Sequence, residues 1–349
     1  MSKSRIHVLL TGGSGFIGHH CVERWLSLGW HVQILDSFKH KGTYSRLSEI
    51  PGIEFHLASG SLEVHHHDLN APLDFALIEK IRLSTGKNEE HGHGLDYIVN
   101  MASNSAVERS NEDPTECWTN NCNIILHMLE AARVLKPRLF FQISTDEVYG
   151  DCYGDTPHVE WSTLRPSNVY SASKAAQEQL CFAYYKSFKV PVVITNTMNN
   201  YGERQDPEKF IPKLIGMIHR GETVPIYTSK GGTIGDRYYI HCKDHAQAIE
   251  FLGNLYSRQY EFYDKPPRAN IAGCKKISNI TLARMVAKLM NKTIDVKLVY
   301  PETTRPSYDL SYGLDSSLLD EAGWSETVTL EDGLQDTIKF TLEHPEWMG

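Results

Sequence analysis

The chain has 349 residues, 41% of them hydrophobic and 22% charged, which supports an ordinary buried core and excludes a chain disordered throughout. With 35 Lys and Arg against 43 Asp and Glu, the formal net charge is −8. That balance argues against a general nucleic-acid binder, yet leaves room for a local basic pocket holding one small anion.

In chain order, short apolar runs alternate with amphipathic segments, as parallel α/β folds require. IHVLLT (6–11), HVQIL (31–35), LDYIVNMA (95–102), RLFFQIS (138–144) and VPVVITN (190–196) read as strands, the first four as strands buried on both faces. Segments 16–29, 115–135 and 171–188 carry helical periodicity. A third strand is expected from either GIEFHL or LEVHHH, and the pattern does not choose between them. Beyond about residue 200, helices are expected near 208–219, 244–256, 279–290 and 330–343, between irregular loops. The expectation is a Rossmann-type doubly wound parallel sheet over residues 1–200. A smaller C-terminal substrate-binding lobe over 201–349 would pack across its open edge, with a cleft between them.

TGGSGFIG follows the first strand and opens the first helix. Gly12, Gly15 and Gly18 permit a tight turn and close approach to a pyrophosphate, which the helix N-terminus would attract. Asp36 ends the second strand, where a carboxylate binds a ribose 2′-hydroxyl and repels a 2′-phosphate, so NAD is preferred to NADP. Lys39 and Lys41 soften that preference. Tyr170 and Lys174 stand four apart at the start of a predicted helix, hence on one face. The Lys is expected to lower the Tyr pKa and to hold a ribose hydroxyl, leaving the Tyr to take a proton from an alcohol. In STDEVYG (144–150), Asp146 and Glu147 sit side by side at a strand's carboxyl end, an acid and a base suited to eliminating water.

Together with PSNVYSASKAAQE, NNYG, PEKFIPKLI, the Arg237 and Asp244-His245 segment, ANIAG and RPSYDLSYGLD, these motifs resemble the extended short-chain dehydrogenase/reductase family. Within it, the chain is similar to the nucleotide-sugar 4,6-dehydratases. The resemblance implies that Thr145 and Tyr170 hold the hexose 4-hydroxyl, that Glu147 takes the C5 proton, and that Asp146 protonates the departing C6 hydroxyl. It implies that NAD is lined by Phe16, Ile17, Asp36, Asp68, Leu69, Thr119, Lys174 and Asn200. Ser105, Asn199, Lys209, Arg237, Asn270 and Arg305 would hold a nucleotide-diphosphate hexose. A homodimer through the helices of 115–135 and 171–188 is implied as well. The family stretch AAESHVDRS reads ASNSAVERS here, with Asn104, Ala106 and Glu108 substituted, and the expectation is that dTDP-glucose is a poor substrate. The alternatives are a 4-epimerase or decarboxylase, a 5,6-dehydratase that stops partway, and a non-catalytic NAD-binding scaffold.

The remaining signals read plainly. His65-His66-His67, and likewise His91 and His93, read as strand-end and loop histidines rather than metal ligands. Seven scattered cysteines without a CxxC pair suggest reduced thiols, the N-terminal apolar run is too short for a signal peptide, and no run is long enough for a membrane span. Cytoplasm is the expected location.

Overall fold

A computed structural model describes residues 5–39, 42–85, 94–152, 156–300 and 310–349. In chain order the elements begin β1 His7–Thr11, α1 Phe16–Ser27, β2 His31–Asp36, α2 Tyr44–Ser48, α3 Ile53–Ala58, β3 Leu62–His66, α4 Phe75–Ser84 and β4 Tyr97–Asn100. Then come α5 Val107–Glu112, α6 Pro114–Leu135, β5 Leu139–Thr145, α7 Val169–Phe188, β6 Val192–Thr197, β7 Asn199–Tyr201, α8 Phe210–Arg220 and β8 Val224–Tyr227. The chain continues through β9 Asp236–His241, α9 Cys242–Gln259, β10 Arg268–Ile271, β11 Lys276–Ser278, α10 Asn279–Leu289, β12 Val296–Val299, α11 Ser317–Glu321 and α12 Leu330–Glu343. LEVHHH therefore supplies the third strand, whereas most of GIEFHL is helical in α3.

Two compact units emerge, and the chain passes between them more than once. The first comprises Met1–Val148, Asn168–Asn196 and Ala246–Ala269; the second comprises Tyr149–Ser167, Thr197–His245 and Asn270–Gly349.

The first unit is built on a seven-stranded sheet of order β10-β6-β5-β4-β1-β2-β3. Strands β3, β2, β1, β4 and β5 run parallel, and the order reverses between β1 and β4. Loops at the carboxyl ends of such strands are where doubly wound sheets bind ligands. Every residue of β1 and β5 is buried, as expected for apolar strands covered on both faces. Helices α6 and α7 cover one face, placing Ile125, Met128, Leu129 and Tyr185 in one core with Leu9, Ile98 and Phe140. Helix α6 starts cleanly because Asp113 caps Glu116 N and Pro114 needs no donor, and it ends at Lys136 in the left-handed region.

The second unit holds a three-stranded sheet of order β11-β9-β7 and the parallel pair β8-β12. Ile211, Leu214, Ile215 and Ile218, recurring on one face of α8, pack with Leu282, Val286, Leu334 and Ile338 from α10 and α12. Among the described residues, no helix is long and apolar enough to cross a membrane, and no two of the seven cysteines are disulfide-bonded.

Candidate active site

Between β1 and α1 the backbone turns tightly, with Gly12 at φ +72°. A Cβ on Gly18 would lie 2.1 Å from the Gly12 carbonyl oxygen, and one on Gly13 would meet Ile34 at 2.7 Å. Only glycine lets the helix start this close to the strand. No side chain caps α1 at Gly15, so its first turn presents backbone N–H groups to whatever lies in the turn. Asp36 closes the turn from β2, accepting from Ser14 N at 3.2 Å and Phe38 N at 3.0 Å. A glycine cradle with an uncapped helix start and a carboxylate alongside fits a dinucleotide.

Lys39 extends to Asp68, with Nζ 2.5 Å from Oδ2, and this hydrogen bond holds the Asp68 carboxyl below its usual range. The Lys39 charge is thus matched by a carboxylate. Leu69 is buried and its carbonyl accepts from His127 at 2.8 Å, while Thr119 is exposed on α6 and Ser105 is exposed ahead of α5. Lys41 lies outside the described residues.

At the other strand end, β5 terminates in Thr145 and the chain enters a 3₁₀ turn, Asp146–Tyr149. The Thr145 hydroxyl donates to Asp146 Oδ1 at 2.9 Å and accepts from Glu147 N at 3.3 Å. Asp146 is buried and Glu147 half-buried. Asn168 donates from Nδ2 to Glu147 Oε2 at 3.1 Å, and its Oδ1 accepts from Ser171 N at 2.9 Å as the cap of α7. One amide therefore fixes both the Glu147 carboxylate and the helix carrying Tyr170 and Lys174. Sequence reasoning missed Asn168, although an Asn immediately before a helical run is the signal of an N-cap.

Tyr170 and Lys174 are buried on successive turns of α7. Burial, with the negative charges of Glu147 and Asp146 next, pushes the Tyr170 phenol well above its ordinary range, opposed in part by a hydrogen bond with Thr145. The expectation that Lys174 lowers the Tyr170 pKa is corrected here. In the protein alone, desolvation and two carboxylates outweigh any help from the ammonium. Lys174 Nζ is instead directed to the Ile143 carbonyl oxygen at 2.5 Å. Burial lowers Lys174 to about 8, with Glu178 acting in the opposite direction. Glu178 is itself buried against Arg268, Oε2 to Nη2 at 2.7 Å, and accepts from Asn196 at 2.8 Å.

Behind these side chains runs a chain of buried amides and hydroxyls that no local pattern announced. Thr11 donates to Asn100 (3.0 Å), Asn100 to Gln142 (2.8 Å), and Gln142 to Gln177 (2.7 Å). Gln177 donates to the Asn121 carbonyl oxygen at 2.6 Å, and Asn121 to Ser173 at 2.8 Å. A satisfied network of this kind rigidifies the floor beneath Tyr170 and Lys174. The substituted Asn104 is part of the same floor: its backbone N–H donates to Asn121 Oδ1 at 2.8 Å, and its Nδ2 donates to Glu116 Oε2 at 2.7 Å.

The second unit carries most of the other candidates. Asn200 Oδ1 meets His245 Nδ1 at 2.9 Å, and burial holds His245 neutral, near 4. Asn199 is half-buried beside it on β7, and Lys209 is the half-buried N-cap residue of α8. Arg237 Nη1 donates to the carbonyl oxygens of Asp236 and Leu310, both at 2.7 Å, with its guanidinium 4.5 Å from the Tyr312 ring centroid. Asn270 is fully buried and ties the His158 and Asp315 carbonyls together at 2.9 and 3.0 Å. Arg305 lies outside the described residues, as do His91 and His93. The His65–His67 run splits toward three separate partners: Gln33, the Ser37 carbonyl and the Ala71 carbonyl, each at 3.1 Å.

Residues 8–263 match the NAD dependent epimerase/dehydratase family. A trifunctional UDP-glucose 4,6-dehydratase/UDP-4-keto-6-deoxy-D-glucose 3,5-epimerase/UDP-4-keto-L-rhamnose-reductase of Arabidopsis thaliana is 31% identical over 98% of this chain. The chain spans about half the length of that relative, 48%. A dTDP-glucose 4,6-dehydratase of Xanthomonas campestris is 31% identical over 97% of this chain and 94% of its own length. Among solved structures, the dTDP-glucose 4,6-dehydratase DesIV of Streptomyces venezuelae, with NAD and TYD bound, superposes with a TM-score of 0.82 at 27% identity. That match covers 98% of this chain and 99% of DesIV.

Proposed function

Starting from a chain that belongs to the NAD dependent epimerase/dehydratase family, we propose that it is a hydro-lyase, a nucleotide-sugar 4,6-dehydratase that converts a nucleoside-diphosphate hexose to the 4-keto-6-deoxy sugar. The observation that carries this reading is the pair Asp146 and Glu147. Both follow Thr145 in one turn, in the unit that also holds Tyr170 and Lys174, and Glu147 is held in place by Asn168. Epimerisation at C4 has no use for two carboxylates beside the redox pair, whereas loss of water needs a base at C5 and an acid at C6.

The Gly12–Gly18 turn, Asp36 and Lys174 would hold NAD, which when bound would supply the hydride acceptor for C4 and the hydride returned to C6. Tyr170 then takes the proton of the 4-hydroxyl, which Thr145 helps to orient. Oxidation at C4 acidifies the C5–H, and Glu147 removes that proton. Asp146 donates the proton with which the C6 hydroxyl leaves as water.

Asn199, Lys209, Arg237, Asn270, Arg305 and Ser105 are proposed to hold the nucleotide sugar, and Phe16, Ile17, Asp68, Leu69, Thr119 and Asn200 the cofactor. Exposed Trp118 and Leu126 on α6 support a homodimer through that helix and α7. Elution mass by light scattering tests it. The set of unbridged cysteines fits a reducing compartment such as cytoplasm. Incubation with UDP-, dTDP-, GDP- and CDP-hexoses and mass spectrometry tests the activity. A product about 18 mass units lighter supports it, and no product from any of them would overturn it. dTDP-glucose is expected to rank low in that panel.

A further inference from the structure

Residues 101–106 join β4 to α5 at the carboxyl edge of the sheet and include Ser105, proposed above to hold the nucleotide sugar. Next to Ser105, Asn104 is buried and bonded to α6 through both its backbone and its side chain. The backbone N–H donates to Asn121 Oδ1 at 2.8 Å, and the carbonyl oxygen accepts from Asn121 Nδ2 at 3.1 Å. The side chain makes a different contact: Nδ2 donates to Glu116 Oε2 at 2.7 Å, a charge-assisted bond stronger than a neutral one.

Glu116 stands in the first turn of α6, where a carboxylate commonly reaches back to the N-cap N–H. Here that N–H, of Asp113, is already given to the Arg109 carbonyl oxygen at 2.9 Å, and the Glu116 carboxylate takes the Asn104 amide. Glu116 is itself well fixed, since Asp113 Oδ1 accepts its backbone N–H at 2.9 Å. Further along α6, Asn121 Nδ2 also donates to Ser173 Oγ at 2.8 Å, and Ser173 Oγ donates to the Tyr170 carbonyl oxygen at 2.7 Å. Cys117, whose Sγ lies 4.0 Å from the Asn104 carbonyl oxygen, is within electrostatic reach of the Tyr170 phenol. The loop that carries Ser105 and the helix that carries Tyr170 are therefore fixed against the same stretch of α6.

We propose that Glu116 is a positioning residue for the sugar: through the Asn104 amide it holds residues 101–106, and with them Ser105, in register with Tyr170. Without Glu116 a buried amide loses its acceptor, and the loop relieves that cost by turning Asn104 toward water and carrying Ser105 with it. This role rests on the dehydratase reading, since it takes Ser105 to be a substrate contact.

Steady-state kinetics test this, with whichever of the UDP-, dTDP-, GDP- and CDP-hexoses the unaltered protein turns over. Glu116→Ala should raise KM at least about fivefold while kcat stays within about twofold, the pattern of lost binding rather than lost chemistry. Glu116→Gln keeps an acceptor oxygen and should hold KM within about twofold of the original. Both variants remove a negative charge from the start of α6, so a role confined to the helix would lower both melting temperatures and leave both KM values in place. Asn104→Asp sets two carboxylates face to face and should raise KM as well. Adding Glu116→Gln to it exchanges donor and acceptor, and KM should return most of the way. A KM unmoved in Glu116→Ala, or as high in the double variant as in Asn104→Asp alone, would overturn this role and leave the dehydratase reading standing. Absence of turnover in the unaltered protein would overturn both.

Discussion

Lys174 Nζ donates a 2.5 Å hydrogen bond to the carbonyl oxygen of Ile143, two residues before Thr145. The residue that steadies the redox pair is thus anchored to the strand that delivers the catalytic turn. Tyr170, one helical turn earlier, shares that anchorage.

That geometry gives a pH dependence. Burial lowers Lys174 to about 8, so its charge is present below that value and lost above it. Turnover should fall as pH rises through about 8. Glu178 favours the charged form, so Glu178→Gln should move this basic limb to lower pH. Stability runs the other way. The unfolded chain keeps the Lys proton up to its ordinary 10.5, so between about 8 and 10.5 it binds more protons than the folded chain. The contribution of Lys174 to folding stability therefore rises with pH across that window. A pH–rate profile whose basic limb is unmoved by Glu178→Gln would contradict this.

Asn168 joins two functions that a substitution can separate. Asn168→Ala removes the cap of α7 and the partner of Glu147 and should cost about 1 kcal/mol of stability together with a clear loss of kcat. Asn168→Asp keeps a capping oxygen but places a carboxylate beside Glu147. The like charge should raise the Glu147 pKa, moving the acidic limb of the rate profile to higher pH while thermal stability stays near wild type. An acidic limb identical in both proteins would remove Asn168 from the account.

The buried pair Glu178–Arg268 predicts an asymmetry. Arg268→Met leaves Glu178 buried without its cation and should cost about 3–5 kcal/mol in denaturant unfolding. Adding Glu178→Leu should restore most of that loss, since two apolar side chains in place of a buried pair are close to neutral. A double variant no more stable than Arg268→Met would show that the pair is not what stabilises this corner.

Much of this was written in local pattern. The strands of the first unit, the Gly12–Gly18 turn, Asp36 and the four-residue spacing of Tyr170 and Lys174 all follow from periodicity and turn chemistry acting over a few residues. The return of 246–269 to the first unit was not legible, because helical periodicity says which face of α9 is apolar and nothing about which core receives it. LEVHHH and GIEFHL compete for one strand position on composition alone. Pairing with β2 decides it, with Val32 opposite Leu62 and Ile34 opposite Val64. The amides running from Asn100 to Asn121 and the second role of Asn168 depend on contacts between residues far apart in the chain. The Tyr170 phenol misled for a similar reason: its neighbours Glu147 and Asp146 come from another element, and spacing along α7 reveals only Lys174.

The central claim is that Glu147 and Asp146 eliminate water across C5 and C6, and turnover in D₂O tests it most directly. With a hexose that the panel identifies as substrate, the 4-keto-6-deoxy product should carry solvent deuterium at C5. Glu147→Gln should lose product formation by about 10²–10⁴-fold, the typical worth of a general base. Product that keeps its C6 hydroxyl and carries no deuterium at C5 would contradict the assignment.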